Sequence, residues 1–262
     1  MSRTVSFQVT KPTTKTYLNM LIYGAPGSGK TTLAATAQDV PEMQNVLYID
    51  VESGSLSIAH RSDIDVVRIY NYAQFSKVHE FLRLHCQYRD AGDDGKLAGL
   101  AEAVGAEPKP YNTVVIDSLT EIQKQVMYML LGIEVGHAQL DLIPETPEFR
   151  EWGQSAEMMR LLVRSFRDLP MNVIFVCAEQ EVENERKQLL RRPALPGKLG
   201  TEIMGFLDVV GYLATAHGED GDLRRRLYIT PGRTFQAKHR FSQAVVGYFD
   251  DPTMAQVWQV RQ

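Results

Sequence analysis

Residues Gly24-Ala25-Pro26-Gly27-Ser28-Gly29-Lys30-Thr31-Thr32 make a complete Gly-x4-Gly-Lys-Thr phosphate loop. The apolar run Leu18–Tyr23 precedes it and the helix-forming Leu33-Ala34-Ala35-Thr36-Ala37 follows. That is the strand–loop–helix setting in which successive backbone amides can surround an anion. The glycines let the main chain approach phosphate, Lys30 reaches toward the β- and γ-phosphates, and the Thr31 hydroxyl is suited to ligate Mg²⁺. The loop therefore predicts a nucleoside triphosphate with magnesium, and it commits the chain to an α/β fold with a strand over Leu18–Tyr23. With no Asn-Lys-x-Asp guanine signature in the chain, ATP is the default nucleotide.

The remainder alternates in the same manner. Val46–Glu52 and Val66–Tyr70 are strand-like, and Thr113–Asp117 brings β-branched residues to an aspartate. Asn172–Ala178 is a further apolar strand. Between them, one helix carries Phe75, Val78, Leu82 and Cys86 on a single face, another Leu119, Ile122, Val126, Met129 and Leu130, and a third Trp152, Ala156, Met159, Val163 and Phe166. Alternation of this kind gives a three-layer α/β domain with a mainly parallel sheet. Beyond residue 208 the strand-like pieces Val209–Thr215, Leu223–Thr230, Arg233–Lys238 and Gln243–Phe249 have no helix between them, and they read as antiparallel strands added to one edge. The expected division is an arm or edge strand over residues 1–17, containing the alternating Val5-Ser6-Phe7-Gln8-Val9, one domain over 18–250, and a tail over 251–262. Residues 90–110, rich in glycine, alanine, acids and proline, read as a surface excursion.

Composition narrows this little. A net charge of −4 excludes a wholly basic protein but leaves room for a local basic surface. With no apolar run approaching the roughly 18 residues of a membrane span, the expectation is a cytoplasmic protein with no membrane partner. Cys86 and Cys177 sit in apolar settings and read as buried thiols, and the histidines lack metal-site spacing.

Asp117, at the end of an apolar strand, has the placement of a Walker B aspartate that holds Mg²⁺ together with Thr31; the alternative is a helix cap before Leu119. Hydrolysis also needs a group to orient or deprotonate water. Glu52 is the first choice and Asp50, two residues earlier on the same side of the strand, its competitor.

The order of the phosphate loop, Tyr48-Ile49-Asp50-Val51-Glu52, Val114-Val115-Ile116-Asp117-Ser118 and Ile174-Phe175-Val176-Cys177-Ala178-Glu179-Gln180 resembles the RecA-type recombinase core. It is most similar to the small single-domain RecA-like ATP-binding proteins encoded by phages, some of which are single-strand annealing proteins of the Sak type. The resemblance implies a catalytic base at Glu52 and a γ-phosphate sensor at Gln180 that leads into a DNA-binding loop. It also implies slow, DNA-stimulated turnover, a location in the host cytoplasm, and a cognate single-strand-binding protein as a possible partner. Ala237-Lys238-His239-Arg240 is similar to the Lys-x-Arg element of hexameric helicases and circadian-clock ATPases of the same superfamily. It implies that Lys238 and Arg240 act on the nucleotide of a neighbouring subunit in a homo-oligomeric ring or filament.

The candidate DNA-binding loop is 181–200, where Arg186, Lys187, Arg191, Arg192 and Lys198 follow an acidic start. Cations on a flexible loop suit a single-strand backbone without sequence readout, although no aromatic residue lies in the loop for stacking. A further basic run, Arg224-Arg225-Arg226, is split by strand alternation, with Arg225 facing away from the other two. The leading expectation is a DNA-dependent ATPase of phage recombination or strand annealing. The alternative is a nucleotide-gated regulatory or loader module that binds a protein partner. A small-molecule kinase fits less well, because 90–110 is not the arginine-rich lid such enzymes carry.

Overall fold

The computed structural model describes residues 17–133, 146–183, 187–217, 221–241 and 247–261. The sequence-based arm falls almost wholly outside these residues, as does Arg186. The phosphate-loop strand β1 (Asn19–Gly24) lies inside a mixed sheet. On one side of it stand β5 (Asn172–Glu183), β4 (Thr113–Asp117), β2 (Val46–Asp50) and β3 (Asp65–Arg68), all parallel to it. On the other side stand β7 (Val209–His217), β8 (Leu223–Tyr228) and β10 (Tyr248–Asp250). One strand, β5, separates the phosphate-loop strand from the strand that ends in Asp117, so the carboxyl ends of β1, β5, β4 and β2 form a continuous rim.

Side-chain alternation along buried strands feeds two cores. Leu21 and Tyr23 face one, with α2 (Ala73–Ala91), α4 (Leu119–Leu130), α5 (Phe149–Arg167) and α6 (Leu199–Phe206). Met20 and Ile22 face the other, with α1 (Lys30–Ala35) and α7 (Met254–Gln259). The result is the three-layer α/β architecture, mainly parallel, with antiparallel strands toward its C-terminal end.

Several local expectations change. Residues 90–110 contain α3 (Asp94–Glu102), started by Asp93, whose side chain accepts from the Lys96 amide. The terminal residues form α7, which buries Met254, Val257 and Trp258; burying each side chain of this size is worth about 1.5–3 kcal/mol. The first strand after residue 208, β7, is parallel to β1, not antiparallel, because α6 carries the chain back across the sheet before it. Among the described residues, the antiparallel additions at this edge are β8, β9 (Lys238–His239) and β10. Met129 and Trp152, expected to face the core, are 44% and 42% exposed, since each helix turns past its buried stripe there. Both cysteines are buried. Among the described residues, no helix is long and apolar enough to cross a membrane.

Candidate nucleotide site

β1 ends at Gly24, and the chain turns through Gly27 and Gly29 in left-handed conformations, φ 76° and 96°, before α1 begins at Lys30. These angles explain two of the glycines on backbone grounds. The Arg225 side chain lies over Gly29, where a β-carbon would stand 2.8 Å from its Nε and push the arginine aside. The Lys30 ammonium folds over the loop and donates to the carbonyls of Gly24 and Ala25 at 2.9 and 2.8 Å. Burial lowers its pKa, and the nearby Asp117 and Glu52 carboxylates oppose that shift.

The parallel register sets Asp50 beside Asp117. Asp117 is buried, and its Oδ2 accepts from the Thr31 hydroxyl at 2.7 Å and from the Tyr48 hydroxyl in a shorter bond. Desolvation raises its pKa, while the two donated hydrogen bonds act the other way. The helix cap of α4 is not Asp117 but Ser118, whose Oγ accepts from the Glu121 amide, which leaves the Asp117 carboxylate to the phosphate-loop side. Ser118 Oγ also donates to Glu52.

Geometry separates the two acids that alternation had left as competitors. Asp50 is buried, and its oxygens accept from the Gly54 and Ser55 amides at 3.0 and 3.2 Å, closing the turn after β2. Glu52 is exposed on the rim next to Ser118.

β5 does not end near Ala178. It continues to Glu183 and pairs antiparallel with β6 (Leu189–Pro193), so the segment read as a flexible loop is a hairpin. Gln180 lies where β5 leaves the main sheet, and its amide donates to the Pro193 and Leu195 carbonyls at 3.0 and 2.8 Å. Arg191 pairs with Glu181 at 2.8 Å and lies 3.8 Å from Glu179. Lys187, Arg192 and Lys198 have no ion pair among the described residues.

Lys238 and Arg240 lie at the opposite end of the sheet. β9 pairs with Val209 and Val210, whereas the phosphate loop follows the position level with Tyr212, roughly 10 Å further along at about 3.3 Å per residue. Arg240 donates to the Gly205 carbonyl at 2.5 Å and lies 3.5 Å from Asp208. Burial lowers the Lys238 pKa, and Arg240 adds to the effect. This position rules the pair out of their own chain's phosphate site.

Sequence reasoning missed what surrounds the loop from the C-terminal strands. Arg225 reaches it from β8, while Arg226 turns the other way and bonds Asp250 at 2.6 and 2.8 Å. A cavity of about 430 Å³ runs along Ala25–Ser28 and is lined by Glu179, Arg191, Tyr212, Tyr228 and Phe235. The alternation of β8 was the available signal for Arg225; nothing local pointed to the aromatic group.

A family model described as "AAA domain" matches residues 16–241, and the chain belongs to that family. It is accordingly a P-loop, nucleotide-binding ATPase of α/β fold. No curated protein matches the sequence. Among solved structures it is similar to a KaiC-like protein of the hyperthermophilic archaeon Pyrococcus horikoshii OT3, at 16% identity over 90% of both chains with a TM-score of 0.42. It is also similar to the RadB recombinase, at 16% identity over 89% of this chain and 86% of that one, TM-score 0.41. The flagellar accessory protein FlaH from Methanocaldococcus jannaschii shows 11% identity over 90% of both chains, TM-score 0.38.

Proposed function

We propose that this member of the AAA domain family is a magnesium-dependent ATPase that binds single-stranded DNA and promotes phage recombination or strand annealing as a homo-oligomer. The observation that carries the hydrolytic half is the linked set Thr31–Asp117 and Ser118–Glu52 at the rim beside Lys30. Thr31 and Asp117 would hold Mg²⁺, and the donor set fits: two hard oxygens 2.7 Å apart, one on a buried carboxylate that burial leaves in need of a positive partner. Among the described residues no larger acid or histidine cluster exists, which suits an ion that takes most of its ligands from phosphates and water. When bound, the ion supplies charge that offsets the β- and γ-phosphates.

The side chains do the rest. The backbone of 24–32 cradles the phosphates, and Lys30 exchanges its two carbonyl partners for phosphate oxygens. Arg225 adds a second cation against Gly29. Glu52 orients a water and accepts its proton, with Ser118 holding the carboxylate in place. Gln180 links the rim to the hairpin through its two carbonyl contacts and reports the γ-phosphate to it. Lys238 and Arg240, excluded from their own site, serve a neighbour's in trans. Lys187, Arg192 and Lys198, with Arg186 and Arg191, form the single-strand contact. A single-strand-binding protein is the expected companion.

The test is the ATPase rate with and without single-stranded DNA, alongside Glu52→Gln. Stimulation in the wild type, with nucleotide binding kept and turnover lost by a factor of about 10²–10⁴ in the variant, supports the reading. Unstimulated turnover favours the second reading, a loader that binds protein, for which the acid-paired Arg191 on the hairpin is the supporting observation.

A further inference from the structure

We infer that the cavity between the phosphate loop and the β5–β6 hairpin is a pocket for one unpaired nucleobase of a bound single strand, with the base's amino edge turned toward Glu179. The inference rests on the single-strand reading above and adds what the basic residues lack, a stacking surface.

The walls are aromatic. Phe235 packs on Tyr212 with centroids 5.0 Å apart and on Tyr228 at 4.6 Å, and Tyr212 in turn meets Tyr23 at 5.1 Å. Phe235 and Tyr228 are only partly buried and line the cavity, so each offers ring surface to a planar guest. The volume, about 430 Å³, accommodates a base. Phe235 is fixed by its main chain: the Arg191 amide donates to Thr234 O at 2.7 Å, the Gln236 amide to Arg191 O at 3.0 Å, and the Tyr23 hydroxyl to Gln236 O at 2.5 Å. Its ring also occupies the place a side chain at Gly232 would take. A pinned ring loses little freedom when a base stacks on it.

The polar end is specific in type. Oε2 of Glu179 accepts no hydrogen bond from the described residues, although the Tyr212 hydroxyl and Arg191 stand close to the same carboxylate. That oxygen has room for a further donor, and an exocyclic amine of cytosine or adenine is the donor a base brings. Arg191, paired with Glu181, also lines the cavity. The fourth wall is Ala25–Ser28 itself, so a base in the pocket touches the loop that holds the triphosphate.

Stacking releases no counterions, and this separates the pocket from the hairpin's cations. The experiment measures binding of fluorescent strands of equal length by anisotropy across salt: oligo(dC), oligo(dT) and an abasic backbone. The wild type is expected to bind oligo(dC) more tightly than oligo(dT), and both roughly five- to hundredfold more tightly than the abasic strand. Phe235→Leu should bring oligo(dC) toward the abasic value with the salt slope unchanged, and Glu179→Gln should narrow the preference for dC over dT. Equal affinity of wild type for intact and abasic strands overturns the pocket while leaving single-strand binding in place. Absence of binding to any strand at low salt overturns both. A Phe235→Leu variant that loses ATP affinity and keeps DNA affinity also overturns it, assigning the ring to the nucleotide instead.

Discussion

Two basic runs look alike in the sequence and differ in the folded chain. In the hairpin, acids of β5 pair with Arg191 across the ladder, and the cations left without an ion pair among the described residues are those toward its turn and its base, Lys187 and Lys198, with Arg192 between. On β8 the split is by face. Arg226 is paired with Asp250 and lies over the Tyr248 ring at 4.0 Å, whereas Arg225 is pressed against Gly29 of the phosphate loop. The count of positive residues is thus a poor guide to a binding surface. Pairing and facing decide which charges are available, and one arginine of the second run stands against the phosphate loop.

The difference can be broken at graded points. Lys30→Ala sets the scale, because it removes the charge the loop is built around; ATP affinity measured by calorimetry should fall by roughly a hundredfold or more, the loss of two charge-assisted hydrogen bonds. Arg225→Ala should lower it by about tenfold or more, the range of a hydrogen bond to a charged group, while Arg226→Ala leaves it unchanged. A loss shared equally between the two would erase the facing argument. For the hairpin, replacing Lys187 and Lys198 together by glutamine should reduce the slope of log affinity against log salt by about 1.4 for single strands. Arg191→Gln should move that slope by less than about half a unit, since Glu181 already neutralises the charge. If Arg191→Gln proves the stronger of the two, the ion pair opens on binding, and the hairpin is remodelled by its partner.

Much of the frame was readable. The phosphate loop, the acid-terminated strand at Asp117 and the three-layer alternation depend on local periodicity, which buried parallel strands impose residue by residue. Glu52 was readable as a candidate, but Asp50 shared its side of the strand, and only the amides of Gly54 and Ser55 separate them. The hairpin resembles a loop in sequence because of its prolines, its glycine and its mixed charge, while the ladder joining Glu179 to Pro193 depends on pairing across a turn. Helix α3 escapes notice for a related reason: its glycines weaken the periodic signal, and Asp93 supplies the start. Arg225 and the Tyr212–Tyr228–Phe235 group come to the loop from strands far along the chain, a proximity that only the sheet order creates.

That order has a consequence at Tyr23. Its hydroxyl is shared among the Gln236 main chain and the Arg191 carbonyl, and its backbone leads directly into Gly24. The phosphate loop and the main chain that braces the hairpin are therefore one residue apart, with a phenol as the linkage. No lever arm is required between them: the residue at the root of the loop holds the main chain of Arg191 and Gln236 directly.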